Sequence, residues 1–271
     1  MTPELADTRA DRERLVGVSL KMYFGFQETL DWCARIGTIA SGHPAVASGV
    51  VRVFVLPTFP LLLPVIALLR ETPVAVGGQN LYWQDSGPFT GEVSGRVLAD
   101  MGCAYVAVGH AERRRLFGES DDDAALKVEA ALRNDLCPIL CIGEADPTDG
   151  GSAAHECARQ LESAMSRIEH DRMRAPVVVA YEPQWAIGAE KPASDQHIVE
   201  VCSALQRIVG NARPGVADRV IYGGSAGPGL LERLGDSVDG LFLGRYVHDP
   251  VAFATVLDEV GRIIPHEAGN E

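Results

Sequence analysis

Short apolar runs rich in β-branched residues recur along the chain: "LVGVSLK" (15–21), "VRVFVLP" (51–57), "PVAVGGQ" (73–79), "AYVAVGH" (104–110), "CPILCIGE" (137–144), "VVVAYEP" (177–183), "RVIYGGS" (219–225) and "GLFLGR" (240–245). They lack the polar alternation of a half-exposed strand, so each predicts a strand covered on both faces, as in a parallel sheet. Between them, apolar residues return every three or four positions in "DDDAALKVEAALRND" (121–135), "AAHECARQLESAMSRIEH" (153–170), "DQHIVEVCSALQRIVG" (195–210) and "PVAFATVLDEVGRI" (250–263). Aspartate or serine opens several of these, as expected of helix N-termini. The strand starts lie 21 to 42 residues apart, a spacing that suits repeated βα units. Eight such units predict a closed (β/α)8 barrel of parallel strands with outer helices, and a doubly wound open sheet is the competing arrangement. No linker or shift in composition divides the chain. One domain is expected over 15–264, with an N-terminal extension at 1–14 and a tail at 265–271.

A closed barrel gathers the carboxyl ends of its strands on one face, where enzymes of this architecture carry their active sites. Lys21, Gln79, Asn80, His110, Glu144, Glu182, Gly223, Gly224, Ser225, Gly244 and Arg245 all follow strand candidates. Glu182 and Pro183 end the run 177–181 abruptly, because proline supplies no ladder donor. Taken singly these residues are ambiguous. A lysine there either reaches solvent or meets an anion, a histidine can simply cap a helix, and glycines after strands serve ordinary turns as well as phosphate-binding loops. No Walker motif is present, and "HAE" at 110–112 lacks the cysteine pair of a zinc deaminase. No metal site is expected. The acidic run "ESDDDAA" (119–125) reads as a solvated helix start, and Met165 and Met173 read as packing residues.

Composition narrows the function classes. The 271 residues are 46% hydrophobic and carry a formal net charge of −13, which argues against nucleic acid and anionic membranes while leaving room for an anionic small molecule at a local cationic site. The longest apolar stretch, around "FPLLLPVIALLR", is broken by Pro64 and closed by Arg70, well short of the ~20 residues of a membrane span. The opening segment has no signal-peptide core. A cytoplasmic location is the expectation. The six cysteines show no zinc-like pairing and are expected as reduced thiols. Cys137 and Cys141 would share a strand face but lie ~13 Å apart, too far for a disulfide, and are expected in the core.

Several motifs converge on one family: "SLKM" (19–22), "GGQN" (77–80), "FTGEVS" (89–94), "VGHAERR" (108–114), "CIGE" (141–144), "AYEPQWAIG" (180–188) and "YGGS" (222–225). In this order, and over about nine tenths of the chain, the sequence resembles triosephosphate isomerase, which implies a TIM barrel. The roles that follow belong to that family. The resemblance gives Glu182 the part of the base that moves a proton between adjacent carbons, and neutral His110 the part of the electrophile that polarises carbonyl and enediolate oxygens. Lys21 supplies positive charge near the substrate. Gly188, Ser225 and Gly244 match the backbone donors that hold the phosphate, while Tyr222 and Ser225 match side chains that latch a closing loop from Trp185 to about Ala193. Glu112 and Cys141 match supporting positions. The loop containing Thr90 resembles the segment that enters a partner's site, so a homodimer is implied. No cofactor is implied.

The departures cluster near the substrate. Ser19 and Leu20 stand where the family has asparagine and tryptophan, Ala111 replaces a serine, Glu190 replaces a loop glycine, Tyr23 replaces an asparagine at the subunit contact, and Gly244-Arg245 replaces a glycine pair. Relatives acting on erythrulose phosphates are similar in carrying serine before the lysine segment and glycine-arginine at the last strand. The expected substrate is therefore a four-carbon ketose phosphate, L-erythrulose 1-phosphate going to D-erythrulose 4-phosphate. A glycolytic triosephosphate isomerase and a catalytically silent sugar-phosphate sensor are the alternatives, and Ser19 and Arg245 join the substrate-binding set.

Overall fold

The structure, a computed structural model, describes residues 13–168, 175–188 and 193–263. Most of the 1–14 extension, the end of the 153–170 helical pattern, Met173, Glu190 with the middle of the 185–193 loop, and the tail 265–271 lie outside the described residues. The eight apolar runs form eight strands: β1 (Arg14–Ser19), β2 (Val51–Leu56), β3 (Val74–Gly78), β4 (Tyr105–Val108), β5 (Cys137–Ile142), β6 (Val178–Tyr181), β7 (Arg219–Tyr222) and β8 (Gly240–Leu243). Each pairs in parallel with the next, and β8 returns to β1, Val16 beside Leu241 and Val18 beside Leu243. That last ladder closes the barrel and excludes the open doubly wound sheet.

Closure explains the unbroken apolar runs. Leu15, Phe54, Leu56, Tyr105, Ala107, Ile139, Cys141, Val178, Ala180, Ile221 and Phe242 fill the interior. Their strand neighbours, among them Val16, Val18, Val53, Val55, Val106, Val108 and Val179, face outward into a second apolar layer. Cys141 is buried in the interior cluster, while Cys137 is partly buried against it. The outer helices are α1 (Phe26–Gly42), α2 (Pro44–Ala47), α3 (Leu62–Leu69), α4 (Gly95–Met101), α5 (Ala111–Phe117), α6 (Asp121–Arg133), α7 (Gly150–Met165), α8 (Asp195–Ala212), α9 (Leu230–Leu234) and α10 (Pro250–Ile263). The apolar segment at 59–70 forms a short helical turn (Phe59–Leu61) running into α3, and no described helix is long and apolar enough to cross a membrane.

The polar starts of the helical patterns act as caps. The Ser120 hydroxyl accepts from the Asp123 N–H at 3.1 Å, and the Asp123 carboxylate accepts from the Ser120 N–H at 2.9 Å. This reciprocal box satisfies N–H groups that the first turn of α6 leaves free. The aspartates of "ESDDDAA" thus open a helix as expected, but Glu119 does not share their solvation. Its side chain is 2% exposed because it pairs with Lys127, itself 5% exposed, at 2.6 Å.

Candidate functional site

At the carboxyl end of the barrel the loops enclose a cavity of about 380 Å3, lined by Ser19, Lys21, Tyr23, His110, Glu112, Glu182, Gly188, Ser225, Gly244 and Arg245 among others. All of the sequence-predicted catalytic and phosphate-binding residues therefore come together. Glu182 is the first residue past β6 and stays tied to the barrel through its N–H, which donates to Ile142 O at 2.8 Å. Its side chain is 2% exposed. Oε2 accepts from the Ala111 N–H at 3.2 Å, so the backbone at the start of α5 supplies a donor although residue 111 has no hydroxyl. The carboxylate is thus shielded from solvent and held against the start of α5. Gly143 makes this packing possible, since a Cβ there would lie 2.0 Å from the Glu182 carbonyl oxygen.

His110 is the N-cap of α5, and its Nδ1 accepts from the Glu112 N–H at 3.1 Å. An accepting Nδ1 assigns the proton of a neutral imidazole to Nε2, which points at Glu182 with 3.6 Å to Oε1. Gly109, at φ 71°, turns the chain from β4 into this cap. Its N–H donates to Glu119 Oε1 at 2.8 Å. Glu119 also accepts from Arg113 and Lys127, each at 2.6 Å, and Lys127 donates to Asn80 Oδ1 at 2.9 Å. Burial alone raises the Glu119 carboxyl, but the charge and hydrogen bond of Lys127, with Arg113 and Gly109, outweigh it and hold the group below the usual carboxylate range. This buried network under the His110 turn is the part of the site that the acidic-run reading missed. Helix periodicity does not reveal it, since Glu119 precedes the Ser120 cap and lies outside α6.

Lys21 lies two residues beyond β1 in the left-handed backbone region, φ 47°. Such a conformation is uncommon for a side chain with a Cβ and needs external support. Gln79 supplies it, donating through Nε2 to Lys21 O at 3.0 Å and to Leu56 O at 2.9 Å. The turn aims Lys21 Nζ at Glu112 Oε1, 2.7 Å away. Burial raises the Glu112 carboxyl, yet the hydrogen bond and charge of Lys21, aided by His110 and Arg115, bring it below its ordinary value.

Ser19 is buried at the end of β1 and lines the cavity, whereas Leu20 is buried in the outer apolar core. Of the two departures before Lys21, the one that reaches the cavity is therefore Ser19. Cys141 lies beneath Glu182, and burial, reinforced by that carboxylate, pushes its thiol well up. Ser225 Oγ donates to Ala186 O at 3.3 Å, joining the β7 exit to the loop that follows Glu182. The Tyr222 hydroxyl is buried and has no hydrogen-bond partner among the described residues. Glu144 gathers Trp185 Nε1 at 2.7 Å, the Tyr181 hydroxyl at 3.1 Å and His197 Nε2 at 3.2 Å around the same loop's start. Cys141 and Tyr222 do not line the cavity themselves, and neither does Thr90, which is exposed in its loop.

A sheltered carboxylate, an imidazole N–H and a lysine thus face one small cavity rimmed by glycine-rich loops. This constellation suits proton transfer beside a carbonyl on a phosphorylated small molecule. Comparison with known proteins agrees with the geometry. The family profile described as triosephosphate isomerase matches residues 14–260. The L-erythrulose-1-phosphate isomerase of Pectobacterium atrosepticum is 53% identical over 251 residues, covering 92% of this chain and 96% of that protein. The protein of the same name from Rhizobium etli is 36% identical, covering 92% and 93%. The triosephosphate isomerase of Moorella thermoacetica is also 36% identical, covering 91% and 98%.

Proposed function

Because the chain belongs to the triosephosphate isomerase family and is an isomerase, we propose that it interconverts L-erythrulose 1-phosphate and D-erythrulose 4-phosphate through an enediolate, without a cofactor. Glu182 takes the proton from C3 of the ketose, next to the C2 carbonyl. The electrons of the C–H bond form the C2–C3 double bond, and the carbonyl oxygen takes up the charge. His110 Nε2 donates to that oxygen and then serves the neighbouring one as the proton moves between them, and Lys21 offsets the negative charge. Glu182 returns its proton to C2, leaving the carbonyl at C3. Gly188, Ser225 and Gly244 hold the phosphate by backbone N–H groups, Arg245 adds a cation at that end, and Tyr222 with Ser225 latches the loop after Trp185.

The observation that carries the chemistry is the juxtaposition of the Glu182 carboxylate and His110 Nε2, 3.6 Å apart in the cavity. Support for the four-carbon substrate comes from Ser19 at the cavity wall and from the relative at 53% identity. Solvent-deuterium incorporation tests the reading: incubation in deuterated water labels the reacting carbon of erythrulose phosphate. If neither this substrate nor dihydroxyacetone phosphate exchanges while phosphate compounds still bind, the protein is a sugar-phosphate sensor and the isomerase mechanism is wrong.

The working unit is inferred to be a homodimer. Met22, beside Lys21, is 88% exposed and Phe117 on α5 is 69% exposed, apolar surface close to the site that a second subunit would cover. Thr90 then enters the partner's site. Light scattering should give twice the chain mass at assay concentration. A fully active monomer contradicts the dimer.

A further inference from the structure

The side of the cavity formed by the loops after β1 and β8 carries a chain of side-chain ring contacts that the proton-transfer chemistry does not use. The loop leaving β1 carries Tyr23 and Phe24, and the loop leaving β8 carries Arg245 and His248. These strands are neighbours at the closure of the barrel. The Arg245 guanidinium lies 5.7 Å from the centre of the Tyr23 ring, within the ~6 Å range of a cation–π contact. Tyr23 meets His248 edge-on at 5.2 Å, and His248 packs on Phe24 at 4.4 Å. Phe24 in turn lies 6.2 Å from buried Trp32, whose Nε1 donates to Val247 O at 3.1 Å. A continuous contact path therefore runs from the core to the Arg245 head group.

Charge distribution gives this arrangement a purpose. Lys21 is committed to Glu112 at 2.7 Å, while Arg245 has no carboxylate within ion-pair distance among the described residues. Tyr23, Gly244 and Arg245 line the cavity together with Gly224 and Ser225. Burial, with help from the Arg245 charge, lowers the His248 imidazole pKa against the opposing effect of Glu28, which favours a neutral packing surface over a second cation. We propose that Tyr23 is a positioning residue that holds the Arg245 guanidinium over the phosphate end of the cavity, so that the β1 and β8 loops clasp the phosphoryl group from both sides. This rests on the proposed function only for a phosphorylated ligand, and it assigns Tyr23 a task beyond the subunit contact that the family resemblance implies.

The test is a double-mutant cycle on the affinity for inorganic phosphate, measured by titration calorimetry on the full chain. Arg245→Gly should weaken binding about tenfold, the size of a lost charge-assisted contact. Tyr23→Leu should weaken it about threefold through the lost cation–π contact, and Tyr23→Phe, which keeps the ring, should restore the parent value. In the Arg245→Gly background, Tyr23→Leu should have no further effect. A residue that merely supports folding or the subunit contact would cost the same in both backgrounds. Additive effects, failure of Tyr23→Phe to rescue, or unchanged binding in Arg245→Gly would each overturn the clasp. Deuterium exchange into the sugar phosphate is read separately, so loss of the isomerase reading and loss of the clasp remain distinct results.

Discussion

Replacing Glu119 by glutamine removes one charge from a buried network while leaving its shape nearly unchanged. Lys127, 5% exposed, would lose its carboxylate partner at 2.6 Å and keep only Asn80 Oδ1 at 2.9 Å. Breaking a buried pair from one side costs about 3–5 kcal/mol. The lower end applies, because glutamine still offers an oxygen to the Gly109 N–H and Arg113 retains partial access to solvent. For a domain of this size ~3 kcal/mol lowers the melting temperature by roughly 6 °C. The pH dependence supplies an internal control. The folded carboxyl of Glu119 is held below its ordinary value, so its contribution is complete above an unfolded value of about 4.3 and is lost as pH falls through the folded one. Thermal denaturation followed by circular dichroism should therefore show the Glu119→Gln deficit in full at pH 7 and a shrinking deficit below about pH 4. Equal melting at pH 7, or a deficit unchanged in acid, would refute the assignment of Glu119 as a paired buried carboxylate.

Two further outcomes are expected. Glu182→Asp withdraws the carboxylate by one methylene and should lower kcat by roughly 100-fold or more in steady-state assays, with a much smaller change in KM; unchanged turnover would remove Glu182 from its role as base. Burial pushes the thiols of Cys33 and Cys103 up to about 12 and about 11 and raises that of Cys141 well above its ordinary value, so these cysteines should react slowly with an aromatic disulfide reagent at pH 8 and promptly once the chain is denatured. Rapid native-state labelling at those positions, mapped by mass spectrometry, would contradict their burial.

The barrel was readable from sequence because a strand packed on both faces needs apolar residues at successive positions, and eight such runs spaced by helices have few other ways to bury them. The positions of His110, Glu182 and Lys21 followed from the same logic, since each comes just after a strand. What sequence pattern did not convey was which polar residues turn inward. Glu119 sits in a run of acids that are otherwise at a helix surface, and only its pairing with Lys127 separates it from them. Leu20 adjoins Ser19, but their side chains part company, one into the outer core and the other to the cavity wall. The contact between Tyr23 and Arg245 joins residues at opposite ends of the chain, so no local pattern encodes it.

Ser19 and its surroundings should give the isomerase site a preference for the longer ketose phosphate. That preference is tested most directly by the ratio of kcat/KM for L-erythrulose 1-phosphate to that for dihydroxyacetone phosphate, measured on one preparation. A site that leaves a polar group of the smaller substrate without its partner discriminates by ~1 to 3 kcal/mol, so the four-carbon substrate should be preferred by roughly 10- to 100-fold. A ratio favouring dihydroxyacetone phosphate would contradict the substrate assignment and make the protein a triosephosphate isomerase in activity as well as in family.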